Sequence, residues 1–209
     1  NCDGIDNAVM VDDRGALDLQ DAVDRATDGS TITVCGDVIG DVVVEGLALS
    51  VVGTGAETLT GTWSIADAQV LVQGVVLDGS SGGRAGLIEV TDGSLSLADV
   101  VFGGGADSAI AFASTADDED PRTLAMNVVA FAPGSRALVV DHQGTARTMT
   151  ITMDDVVADG LSHGEGPILL QSAYQLEVTA RNSSFDGGSA SGSVGVFTLD
   201  TSYRIVLAL

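Results

Sequence analysis

Asp117, Asp118, Glu119 and Asp120 form the densest run of metal-capable side chains in this 209-residue chain. Carboxylate oxygens are hard ligands and suit Ca2+. Asp12–Asp13 and Asp154–Asp155 are smaller sets of the same kind. Neighbouring residues on a strand point to opposite faces, so Asp154 and Asp155 cannot both chelate from an ideal strand. Residues 117–120 are therefore the metal candidate, and a solvated acidic loop is the plain alternative. Arg136 and Arg147 flank one segment, but no fixed spacing marks either as a base. His142 and His163 have no metal-ligand partner at a recognised spacing. His163 with Glu165 reads as loop surface. The two G-x-S-x-G matches, 79–83 and 160–164, are each followed by a short apolar strand pattern rather than a helix, so neither reads as a nucleophile elbow. The glycines at 53–55 and 103–105 lack the Lys or helix of a phosphate loop and read as turns. Trp63, Tyr174 and Tyr203 are spread along the chain rather than gathered into a sugar-stacking platform. No catalytic residue is assigned.

Such sparse chemistry turns attention to the scaffold. Apolar residues make up 45% and aromatics only 4%, so the core must be Val, Leu, Ile and Ala. Glycine, at 27 residues, is near twice its usual share of about 7%. Many short strands joined by tight turns fit that balance. No apolar run approaches the ~20 residues of a membrane helix, so no membrane insertion within this chain is expected. All eight cations are arginine, and the net charge is −22. A surface this anionic repels phosphates, so nucleic acid is discounted as a partner. Cys2 and Cys35 read as a disulfide tying the N-terminus to the first strand, worth about 3 kcal/mol by loop closure. Two free buried thiols are the alternative.

A repeat organises the rest. "QGVVLDG" (73–79), "ADVVFGG" (98–104), "NVVAFAPG" (127–134), "DDVVADG" (154–160) and "NSSFDGG" (182–188) share a large apolar residue before a glycine. Their anchors, Leu77, Phe102, Phe131, Val157 and Phe185, are spaced 25, 29, 26 and 28 residues apart. Three residues earlier stand Gly74, Asp99, Val128, Asp154 and Asn182. Four of the five suit a left-handed bend, and Val128 breaks the rule. An alternating strand precedes each bend and another follows each glycine loop. About three short strands per unit of 25–29 residues is the pattern of a parallel β-helix solenoid. A β-sandwich is the main competitor, but it does not explain the five-fold recurrence. Ahead of the repeat, Leu17, Leu19, Ala22, Val23 and Ala26 fit a short amphipathic helix. It covers about 16–27 and would cap the first coil. Residues 1–14 read as an N-terminal lead and 15–209 as a single β-helix domain.

The stretch "LDLQDAVDRATDGSTITVCGDVIGDVVVEGLALSVVG" (17–53) resembles the opening of the right-handed parallel β-helix repeat proteins, the pectate-lyase-like group. That resemblance implies an all-β, right-handed parallel β-helix over about 17–209. The group includes lyases, hydrolases, adhesins and inert stalks, so the fold leaves function open. The expected function is a non-enzymatic, extracellular structural or adhesive β-helix, part of a bacterial surface protein, stalk or fibre. Its partners would be other subunits, in a homo-oligomer or filament, or surface glycans. The chain ends on an apolar strand, which makes Tyr203, Ile205, Leu207 and Leu209 the expected assembly edge. The alternative is a polysaccharide lyase or hydrolase acting on acidic glycans with Ca2+. Its mark would be acids from three neighbouring coils converging beside an arginine.

Overall fold

The structure is a computed structural model. It describes residues 8–79, 87–103, 108–115, 122–132, 136–143, 148–158, 168–172, 175–185, 197–201 and 205–208. Among the described residues, twenty strands and one helix build a parallel β-helix. The first coil holds β3 (Ser30–Val34), β4 (Val38–Ile39) and β5 (Val42–Glu45), after β1 (Val9–Val11), β2 (Arg14–Ala16) and α1 (Leu19–Arg25). The second holds β6 (Ala48–Val52), β7 (Thr58–Thr60) and β8 (Trp63–Ala66). From the third coil on, the first two strands fuse across a bend into one. The pairs are β9 (Gln69–Asp78) with β10 (Ile88–Thr91), and β11 (Ser94–Phe102) with β12 (Ser108–Ser114). Next come β13 (Arg122–Phe131) with β14 (Arg136–His142), and β15 (Met149–Ala158) with β16 (Ile168–Ser172). The last described strands are β17 (Leu176–Arg181), β18 (Ser184–Phe185), β19 (Phe197–Thr201) and β20 (Ile205–Ala208).

Each strand pairs in parallel with its counterpart one coil on. One sheet runs β3-β6-β9-β11-β13-β15-β17-β20, and the other runs β5-β8-β10-β12-β14-β16-β19. Strict alternation puts one residue in two inside. Ile32, Val51, Val72, Leu97, Met126, Met153 and Ala180 stack in register as one buried column. Val42, Trp63, Ile88, Ile110, Leu138 and Ile168 form another on the second sheet. Because every inward side chain meets its like above and below, aliphatic residues fill the core without many aromatics.

The first column also measures the coils. Its steps are 19, 21, 25, 29, 27 and 27 residues. The expected 25–29 therefore holds from the third coil on. The first two are shorter because their turns carry no long loops and β4 has only two residues.

The anchor column confirms the repeat and corrects one of its members. Leu77 pairs with Phe102, Phe102 with Phe131, Phe131 with Ala158, and Ala158 with Phe185. The fourth anchor is Ala158, fully buried, and Val157 beside it is 41% exposed. The bend shifts with it, to Asp155 at φ 53° rather than Asp154. Gly74, Asp99, Val128 and Asn182 are all left-handed, at φ 65°, 54°, 55° and 50°. Gly, Asn and Asp adopt this conformation at low cost, whereas a β-branched residue does not. Val128 is held there by the ladder on either side, Asn127 to Asp154 and Val129 to Val156. Val128→Asn is expected to stabilise the protein by about 1 kcal/mol, seen as a higher denaturation midpoint with an unchanged slope. A lower midpoint would mean that Val128 makes a contact worth more than its strain.

The N-terminal cap is more than a helix. Val9–Val11, in the stretch read as a lead, are buried and pair antiparallel with β3. The turn between β1 and β2 is Asp12-Asp13, at φ 45° and 65°. Positive φ at both central residues is the demand of a two-residue hairpin turn. Helix α1 starts at Asp18, whose side chain accepts from the Asp21 N–H at 2.8 Å, and buries Leu19, Ala22 and Val23, whereas Leu17 precedes the cap and is 94% exposed rather than part of the apolar face. Its Gln20 closes the second sheet. The Gln20 Oε1 accepts from the Val43 N–H at 2.7 Å, and its Nε2 donates to the Val43 carbonyl at 3.2 Å. One side-chain amide thus stands in for a missing strand on the edge of β5. Gln20→Ala is expected to cost about 1–2 kcal/mol and to raise light scattering near the melting transition. An unchanged midpoint would show that water satisfies β5 equally well.

Candidate functional site

The outward residues of the first sheet are small. Successive coils present Thr31, Ser50, Leu71, Ser96, Ala125, Thr152 and Thr179 in one register column. Small side chains on a twisted face leave a channel along the solenoid axis. It holds two adjacent hollows of about 370 and 480 Å³, with Leu71 and Ser96 lining both. The far hollow ends at a polar row, Asn127, Asp154 and Arg181, also in register on successive coils. The Asp154 carboxylate accepts from the Asn182 amide at 3.3 Å. Arg181 and Asp154 are both exposed. The channel can therefore accept an extended chain, offering hydroxyls along its length and one acid and one guanidinium at its end. Among the described lining residues it brings one carboxylate, not three, beside the arginine.

The other acids hold coils together. The Asp12 carboxylate accepts from the Thr31 N–H at 3.0 Å and the Ser30 hydroxyl at 2.8 Å. Asp28 accepts from the Ala48 N–H, Asp37 from the Thr58 N–H, and Asp41 from the N–H and hydroxyl of Thr62. Asp92 does the same for Thr115, at 2.7 and 2.9 Å. In each case a carboxylate at a corner satisfies donors on the next coil, where the turn interrupts the backbone ladder. The Thr31 N–H, with the Ser30 hydroxyl, holds the Asp12 carboxyl below its ordinary range. Burial opposes ionisation of Glu57, but the hydroxyl and N–H of Thr54, at 2.6 and 2.7 Å, and the Ala56 N–H prevail. The Glu57 carboxyl is also lowered. For depressed carboxyls the stabilisation is present above the ordinary value and lost as pH falls through the folded one.

The remaining candidates are placed as follows. Asp117, Asp118, Glu119, Asp120, Arg147, His163, Glu165, Tyr174, Tyr203 and Leu209 lie outside the described residues. Among the described residues no group of three or more His, Cys, Asp or Glu is placed to hold a metal ion. Cys2 also lies outside them, and no described cysteine is free. Ile205 and Leu207 sit in β20, opposite Leu176 and Val178. His142 is inside, 2% exposed, level with the buried Ser114 and Ser172 on the coils either side. Trp63 is a core residue. Arg122 is 6% exposed, with its Nε 3.8 Å from an Asp92 oxygen.

Sequence reasoning missed two devices. Gln20 offered no signal, because a glutamine on a helix face is ordinary. The corner acids did have one: Asp12 and Thr31, Asp37 and Thr58, Asp41 and Thr62, and Asp92 and Thr115 are each one coil apart. No helix of the described residues is long and apolar enough to cross a membrane. No family model, curated protein or solved structure matches the chain.

Proposed function

We propose that the chain is a non-enzymatic, extracellular structural or adhesive β-helix of a bacterial surface protein, stalk or fibre, of the pectate-lyase-like kind. The observation that carries this reading is the pair of adjacent hollows on the first sheet, lined largely by hydroxyls and small side chains with one acid among the described residues. Such a surface can hold an extended glycan or protein segment, and its described lining sets one acid, Asp154, beside Arg181. A rigid parallel ladder suits a load-bearing or spacing role, since each coil rests only on its neighbours. An exported chain would also carry Cys2 and Cys35 as a disulfide. Assembly would run through the last coil, at Tyr203, Ile205, Leu207 and Leu209.

Surface biotinylation of intact cells, with a glycan-binding screen of the purified chain, tests the reading. Labelling from outside and binding without turnover are expected. Release of unsaturated uronate from polyuronate, with or without added Ca2+, would establish the lyase alternative in its place. Sedimentation velocity over a range of concentrations tests stacking, and a monomer throughout would remove that part.

A further inference from the structure

We propose that the wall following the bend in β9, β11, β13 and β15 docks a basic amphipathic helix of a partner protein. One outward column of this wall is an apolar strip. Val76, Val101, Ala130 and Val157 stand in register there on four successive coils. Thr58 precedes them in the column and Ser184 follows, so hydroxyls bound the strip at both ends. Val101 is 46% exposed and Val157 41%, while Val76 and Ala130 are half-buried. The outward column that lines the channel instead carries Thr31, Ser50, Ser96, Thr152 and Thr179. An outward position of this solenoid thus takes a hydroxyl readily. Four apolar residues in succession, edged by polar ones, mark an interaction surface.

Val128 supplies an independent observation. It stands two residues before Ala130 and widens the strip toward the bend. The other four copies have Gly74, Asp99, Asp155 and Asn182 at this position, all types suited to left-handed φ. Val128 holds φ 55° at a cost, and its side chain is 49% exposed, so little burial within the chain offsets that cost. A strained valine open to solvent beside an apolar strip is accounted for when a partner covers it.

The margins of the strip set the partner's charge. Asp99 and Asp155, both exposed, stand on the coils either side of Val128. On the opposite margin the Asp78 carboxylate lies against Gly103, where a Cβ would meet its Oδ1 at 2.9 Å. Arg181 falls one coil beyond Val157, outside the strip and in register with Asp154. A net charge of −22 opposes a second copy of the chain and favours a cationic partner. Coil spacing sets the partner's shape. Four residues on successive coils span about 14 Å, at about 4.8 Å per step. A helix laid along the solenoid axis rises about 5.4 Å per turn, so one apolar residue per turn falls over each coil with a drift of only about 2 Å. Lys or Arg beside that stripe would reach Asp99 and Asp155 on one flank and Asp78 on the other. The strip lies across the bend from the channel, so docking here goes beyond the proposed glycan or segment binding and is independent of it.

The probe is a labelled synthetic peptide of about four helical turns, with Leu at helical spacing on one face and Lys elsewhere. A scrambled peptide of the same composition is the control, and fluorescence anisotropy with the full chain is the readout. The patterned peptide is expected to bind about tenfold more tightly than the scrambled one at equal ionic strength. Val101→Ser combined with Val157→Ser should weaken it about tenfold. Asp99→Asn combined with Asp155→Asn keeps residues suited to the left-handed bend and should flatten the salt dependence of binding. Val128→Asn separates docking from folding, because it should raise the denaturation midpoint while lowering affinity. Equal binding of the two peptides, or an affinity untouched by the two serines, overturns the proposal. Self-association of the chain that those serines abolish also overturns it, and gives the strip to a second copy.

Discussion

Gly61→Ala is expected to destabilise the protein by about 3 kcal/mol or more, the range in which a single change is diagnostic of a backbone clash. Gly61 lies at φ 146°, where an L side chain is strained. A Cβ there would collide with the Gly40 carbonyl oxygen and come within 2.6 Å of its carbon. Both are main-chain atoms of the coil below, so no rotamer change relieves the contact. Nor can the two coils part locally. The Gly40 N–H donates to the Thr60 carbonyl at 2.9 Å, and the Val42 N–H to the Thr62 carbonyl at 2.8 Å, one bond on each side of Gly61. Gly29→Ala is the control, since Gly29 is also left-handed, at φ 84°, but has nothing within 4 Å of its Cβ site. That change should cost only about 1–2 kcal/mol from backbone strain. Denaturant titration of both variants separates the contributions. If Gly61→Ala is no worse than Gly29→Ala, the first two coils are not stacked as closely as their hydrogen bonds require.

Steric closeness of this kind is the part of the fold that a sequence hides. The repeat was legible because a solenoid forces inward residues into columns, and Leu77, Phe102 and Phe131 are large enough to stand out. Its fourth member was misread for the same reason in reverse. Ala158 is too small to look like an anchor, so the sequence pattern points to Val157 instead and, with it, to a bend at Asp154. Burial of a methyl group and exposure of a valine run against residue type, and only the ladder Ala130–Val157, Phe131–Ala158 settles them. Val128 is the opposite case. Its type argues against a left-handed bend, yet the strands on both sides impose one, a tertiary demand overriding local preference.

The channel was less legible than the core. Outward residues face solvent and obey no column rule, so Ser50, Leu71, Ser96 and Ala125 carry no pattern that marks a hollow. What makes the hollows is the run of small side chains on either side of Leu71, which becomes visible only when the register is known. The acidic surface divides in a similar way. Read as composition, −22 points to solubility or to the habit of a source. Read in register, Asp12 in the N-terminal hairpin and Asp28, Asp37, Asp41 and Asp92 at the corners are acceptors for donors on the adjoining coil, places where an apolar side chain would offer none.

Phe102→Ala should bring the other large loss, about 4 kcal/mol, the usual cost of emptying an aromatic site in a core. Phe102 is 1% exposed and lies between Leu77 and Phe131 in the anchor column. The two phenyl rings are stacked, with centroids 4.8 Å apart and planes 10° from parallel, the spacing of one coil on the next. Stacking of this kind adds about 1 kcal/mol beyond burial. A double-mutant cycle with Phe131→Leu should recover that coupling, because Leu keeps most of the volume while losing the ring face. Phe131 has the small Ala158 on its far side, so its neighbours can settle toward a Leu there. Phe102 has side chains of full size on both sides and leaves a void. A solenoid confines such damage to adjoining coils. Hydrogen exchange of Phe102→Ala should therefore quicken first in β9, β11 and β13, while β3 and the N-terminal cap keep their protection. Uniform loss of protection along the chain, or a coupling near zero, would mean that the anchors do not form a vertical stack, and the register on which the channel depends would have to be redrawn.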